Sequence, residues 1–224
     1  MNKKEKFITP SLLNVEKEKR LEMINLLIDN GIKWFHYDVM DGKFVPNYAI
    51  ELEEIKNFRK NAKQHFSDVH LMIENPLNFI DDYKDFCDIV TIHYEAIKPK
   101  ELLNFLKTKH HEYKIGLAIK PNTEVEEIEE FLPYLSLVLV MSVEPGKGGQ
   151  KFIPSALDKI KILKNLRIQN GYTYLIQVDG GINSETGLEA FKAGVDACVA
   201  GTFLVKDPTK ERINSILPKL YQLK

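Results

Sequence analysis

The sequence predicts an α/β fold, a (β/α)8 barrel of TIM type occupying residues 1–224 as a single domain. Three observations lead there. Short apolar, β-branched runs recur eight times along the chain, longer segments of helical periodicity separate them, and the glycine-rich turns fall late. An open doubly wound sheet would carry its phosphate fingerprint after the first strand. Here the first strand ends in Pro10-Ser11-Leu12, without a glycine.

Strands are expected over 7–12, 34–39, 66–71, 89–93, 114–119, 137–143, 174–178 and 197–200. The first helix is expected over 15–30, with Leu21, Ile24, Leu27 and Ile28 on one face and Gly31 as its stop. A helix over 125–131 is entered through Asn122 and Thr123, both good N-cap types. Helices over 155–168 and 185–193 repeat the pattern, and one from 208 to 220 closes the chain.

The composition excludes several classes. At 44% hydrophobic and 28% charged residues, the chain reads as an ordinary globular protein. A formal net charge of −1 gives no basic surface, so no nucleic-acid partner is expected. Only Cys87 and Cys198 are present, each beside apolar residues, which predicts buried free thiols in a reducing compartment. Residues 1–6 are basic, but the apolar stretch after them is broken at Thr9 and Pro10. That is not the pattern of a secretory signal. No run is long enough to span a membrane, and a cytoplasmic location is expected.

Barrel active sites form at the C-terminal ends of the strands. His36, Asp38 and Met40 share one face of the second strand, His70 and Met72 one face of the third, and the seventh ends in Asp179. Two buried carboxylates demand a compensating positive charge. One divalent cation held by His36, Asp38, His70 and Asp179 would supply it, and mixed imidazole and carboxylate ligands suit zinc, iron(II) or manganese alike. Three glycine turns form a candidate phosphate site: Gly146 through Gly148, Gly149, Gln150 and Lys151 after strand six, Gly180-Gly181 after strand seven, and Gly201-Thr202 after strand eight. Met40, Met72 and Met141 also end strands and would line the site with polarisable apolar groups. His93 ends the fourth strand, where it is placed either to line the mouth or, as the first reading, as a structural group; His65, His110 and His111 read as structural.

Several blocks then carry a resemblance: Thr9-Pro10-Ser11-Leu12-Leu13, His36-Tyr37-Asp38-Val39-Met40-Asp41-Gly42 through Phe44-Val45-Pro46-Asn47, Asp68-Val69-His70-Leu71-Met72, Met141-Ser142-Val143-Glu144-Pro145-Gly146, Gly148-Gly149-Gln150 and Val178-Asp179-Gly180-Gly181. In this order they resemble the ribulose-phosphate 3-epimerase family. The resemblance implies a ribulose-phosphate-binding barrel, and the interconversion of D-ribulose 5-phosphate and D-xylulose 5-phosphate in the pentose phosphate pathway. It implies a metal at the positions of His36, Asp38, His70 and Asp179, with Asp38 as base and Asp179 as acid, exchanging roles in reverse. It further implies substrate contacts at Ser11, His70 and Asp179, phosphate-side loops at Gly148, Gly149, Gln150, Lys151, Gly180, Gly181, Gly201 and Thr202, and a homo-oligomer. Lys147 stands where the family commonly has phenylalanine, and Lys43 where histidine is frequent. A sister 3-epimerase acting on a six-carbon ketose phosphate, such as D-allulose 6-phosphate, would share the whole constellation. A phosphate-gripping lyase or decarboxylase would need a lysine-bearing catalytic strand that is missing here, and a non-catalytic sugar-phosphate binder would gain nothing from buried aspartates.

Overall fold

The structure is a computed structural model, and it describes residues 5–223. The first four residues of the basic N-terminal stretch, and the end of the single domain read as 1–224, lie outside the described residues. Eight parallel strands form one sheet: β1 (Phe7–Thr9), β2 (Trp34–Met40), β3 (Phe66–Met72), β4 (Ile89–His93), β5 (Ile115–Ile119), β6 (Leu137–Met141), β7 (Leu175–Asp179) and β8 (Ala197–Val199). Each pairs with its sequence neighbour from β2 to β8, and β8 pairs with β1. The seam between β1 and β2 is closed by a parallel bridge, Ser11 to His36, in which the His36 N–H donates to the Pro10 carbonyl at 3.0 Å. The expected (β/α)8 barrel is therefore present.

The helices between the strands are α1 (Arg20–Asp29), α2 (Leu52–Asn61), α3 (Ile80–Tyr83), α4 (Pro99–Lys109), α5 (Ala156–Asn170), α6 (Ser184–Ala193), α7 (Thr202–Val205) and α8 (Lys210–Ile216). Four expectations are corrected. The first strand stops at Thr9 rather than Leu12, because Pro10 has no N–H to give a ladder. The first helix starts at Arg20, after a 3-10 turn at Lys17–Lys19. The segment expected as a helix over 125–131 is a 3-10 run, Val125–Tyr134, capped by Glu124 and not by Asn122 or Thr123. The Thr123 hydroxyl is already committed to Glu95, and Pro133 removes a donor that an α-helix would use. The last helix ends at Ile216, because Pro218 forces the residue before it, Leu217, into an extended backbone.

Strand parity sorts two cores. Outward side chains such as Phe35, Val69, Ile92, Leu117 and Val138 pack under the helices. Inward ones at the barrel base, Phe7, Trp34, Ile89, Leu137 and Leu139, make a separate apolar plug. Above that plug the inward row turns polar, with His36, Asp68, Thr91 and Gln177 fully buried. The site stands on this layer. Cys87 and Cys198 are buried free thiols, as expected. Among the described residues no helix is long and apolar enough to cross a membrane.

Candidate active site and metal centre

The register of β2 against β3 sets Asp38 beside His70 and His36 beside Asp68, and β6 sets Met141 beside Asp179. These pairings bring four side chains from three strands together: ligand-capable atoms of His36, Asp38, His70 and Asp179 all lie within 4.8 Å of one another. The His36 Nε2 lies 3.3 Å from the Asp38 Oδ1, and the His70 Nδ1 lies 3.2 Å from the same oxygen. The outer nitrogen of His36 is held by Asp68, whose Oδ2 faces Nδ1 at 2.6 Å. Asp68 also accepts from the Trp34 indole at 2.6 Å and the Gln177 amide at 3.3 Å, so its orientation is fixed from three sides.

The electrostatics separate the two aspartates. Burial opposes the ionisation of Asp38, but the charge and hydrogen bond of the neighbouring His36 outweigh it and hold that carboxyl well below the usual range. The Ser11 hydroxyl donates to its Oδ2 at 2.5 Å. Asp179 is pushed up to about 7 by burial and by the Asp38 charge. Burial lowers His70 to about 4, keeping it neutral and able to serve as a ligand. Burial opposes the protonation of His36 as well, but there Asp68 and Asp38 overcome it and the imidazole is raised above its ordinary value. Two imidazole nitrogens and two mutually repelling carboxylates fit a divalent cation, so this cluster could hold a metal ion.

Above the cluster opens a cleft. Ser11, Asp38, Met40, Met72, Met141, Gly148, Gly149, Gln150, Asp179, Gly180, Gly181, Gly201 and Thr202 line it. His36 and His70 lie beneath it with no exposure. Lys151 is exposed and does not line the cleft, whereas Lys147 does. The three glycine turns meet on one side. Gly180 and Gly181 both have positive φ, and a Cβ on Gly181 would strike the Phe152 backbone nitrogen, so only glycine fits there. The strand-six loop is tied down at both ends: Gln150 donates to the Glu144 and Lys147 carbonyls, and Asn47 donates to the Gly146 carbonyl at 2.6 Å.

Sequence reasoning missed Asn14, which lines the cleft and donates to the Thr202 hydroxyl at 2.5 Å. It also missed Asp68, although its two-residue spacing from His70 places both on the inward face and could have marked it. His93 is not an isolated structural group but touches His70 at 2.8 Å.

The ribulose-phosphate 3-epimerase family model matches residues 7–205. The chain belongs to that family. Among curated relatives it is 36% identical to a ribulose-phosphate 3-epimerase of Treponema pallidum over 87% of this chain and 89% of that one. It is 38% identical to one of Methanocaldococcus jannaschii over 93% of this chain and 88% of that one. The protein is therefore an epimerase of the isomerase class with a phosphorylated sugar as substrate. A crystal structure of 3-hexulose-6-phosphate synthase superposes with a TM-score of 0.66 at 16% identity, covering 95% of this chain and 97% of that one, which speaks for the barrel alone.

Proposed function

We propose that this protein interconverts D-ribulose 5-phosphate and D-xylulose 5-phosphate by moving protons at C3 through a 2,3-enediolate, within the pentose phosphate pathway. What supports the reading above all is the pair Asp38 and Asp179, brought within a few ångströms of each other from β2 and β7 with opposite proton affinities. Inversion needs two acid/base groups, because a single base tends to return the proton to the face it came from.

Asp38 stays ionised and is oriented by Ser11, so it takes the C3 proton. Asp179 holds a proton near neutral pH and delivers it to the opposite face. After turnover Asp38 carries the proton and Asp179 is ionised, which is the state that runs the reverse reaction. His36, Asp38, His70 and Asp179 would hold one divalent ion, zinc, iron(II) or manganese, whose Lewis acidity stabilises the enediolate charge. Ser11, Gly148, Gly149, Gln150, Gly180, Gly181, Gly201 and Thr202, which line the cleft, bind the substrate, the glycine turns presenting backbone N–H groups to its phosphate; His70 and Lys151 do not line it. Met40, Met72 and Met141 wall the reacting carbons from water. The chain works as one barrel domain, residues 1–224, as a homo-oligomer in the reducing cytoplasm, where Cys87 and Cys198 remain thiols.

Asp38→Asn and Asp179→Asn test the assignment. Each is expected to lower kcat by roughly 10³-fold or more, with circular dichroism and melting temperature near those of the wild type. Near-normal turnover by either variant defeats it.

A further inference from the structure

His93 and Glu95 lie outside the cleft and have no part in the proton transfers. Both oxygens of Glu95 are engaged. Its Oε1 accepts from the Lys120 N–H at 2.7 Å and the Thr123 hydroxyl at 2.5 Å, and its Oε2 faces the His93 Nδ1 at 3.0 Å. Two oxygens acting as acceptors make His93 Nδ1 a donor. A neutral imidazole carries one proton, so His93 Nε2 is left as an acceptor. The atom facing it at 2.8 Å is His70 Nε2, which must then carry the proton. The lone pair of His70 is thereby left on Nδ1, the nitrogen beside Asp38 and 3.3 Å from His36 Nε2. Asp68 accepts from His36 Nδ1 directly, so the neutral imidazole that a metal requires keeps its lone pair on Nε2.

We propose that Glu95 and His93 are positioning residues that hold His70 in the tautomer with its Nδ1 lone pair aimed at the metal position, completing with Asp68 a matched pair of carboxylate anchors. The proposal rests on the assignment of His36 and His70 as metal ligands. The inner half of the relay is shielded from solvent: His93 is fully buried, and the Phe44 ring covers it at a centroid distance of 4.8 Å, with the Lys120 ammonium 4.3 Å above that ring. The Thr123 carbonyl in turn accepts from the buried Lys159 at 2.5 Å, so the far end of the relay is anchored in the loop after β5. Outer partners of this kind are worth between about 10- and 100-fold in metal affinity.

The test is zinc affinity by chelator competition, together with the visible spectrum of the cobalt(II)-loaded protein, for wild type, His93→Leu, His93→Gln and Glu95→Ala. The glutamine side chain in His93→Gln can still accept from His70 and donate to Glu95. His93→Leu and Glu95→Ala are expected to lose about 10- to 100-fold in affinity and to shift the cobalt spectrum, while His93→Gln stays within about threefold of wild type. Equal affinity and spectra across all four overturn the relay. A wild type that binds no metal overturns the ligand assignment, and the relay with it. Nitrogen-15 NMR of the zinc-loaded wild type reads the same point without mutation: the proton is expected on His93 Nδ1 and His70 Nε2, and a His93 proton on Nε2 overturns the proposal.

Discussion

Glu95 shows at the residue scale how a buried charge is made tolerable. Burial alone would raise its carboxyl, yet His93, the Lys120 N–H and the Thr123 hydroxyl together lower it from the ordinary 4.5 to about 2. A carboxyl whose folded-state value lies below its unfolded one stabilises the fold fully above pH 4.5, and that contribution drains away as pH falls toward 2. The gap in unfolding free energy between wild type and Glu95→Gln, followed by urea titration, is therefore expected to shrink by roughly 2–3 kcal/mol between pH 5 and pH 2. A constant gap would mean the carboxylate is not held this way. The four residues of the metal-capable cluster were legible in the sequence because period-two alternation and the ends of strands place them on one face. For the partners behind them spacing goes only part of the way: it puts Asp68 on the same inward face as His70, but whether Asp68 and His93 serve the site depends on which ring nitrogen meets which neighbour, and that is fixed by barrel closure.

At the scale of elements, the turn from β7 into α6 joins the site to the scaffold. Asp179 ends the strand, Gly180 and Gly181 reverse the chain, and Asn183 caps the helix by accepting from the Glu185 and Thr186 N–H groups. Asn183→Ala leaves both donors without that partner and is expected to lower the unfolding free energy by about 1 kcal/mol in urea denaturation. An unchanged midpoint would show the cap to be idle. Here too the sequence was readable in part. The alternation of strand and helix was plain from periodicity, and the bounds of α5 and α6 agree with it to within two residues. The 3-10 run Val125–Tyr134 was not readable as such, because the Thr123 side chain that looks like a cap in the sequence is drawn 28 residues back along the chain to Glu95.

The whole molecule is a barrel whose interior changes character along its axis. Phe7, Trp34 and Leu137 fill the base, His36, Asp68 and Gln177 form a polar middle, and Asp38 and Asp179 stand below a cleft walled by methionines and glycine turns. The apolar base gives the polar layer a rigid floor. The polar layer in turn aims the site, which explains why ionisable residues are so deeply buried in the middle of the barrel. Closure between β1 and β2 rests on Pro10 and Ser11, and Ser11 also orients Asp38. The seam of the fold is thus part of its chemistry. The measurement that bears most directly on the proposed reaction is hydrogen exchange at C3, followed by NMR in D2O with D-ribulose 5-phosphate as substrate. Deuterium is expected to enter C3 as xylulose 5-phosphate forms, to stop when a chelator removes the metal, and to resume when zinc, iron(II) or manganese is returned. Xylulose 5-phosphate that keeps the original hydrogen at C3, or exchange indifferent to the chelator, would contradict the two-aspartate, metal-assisted mechanism.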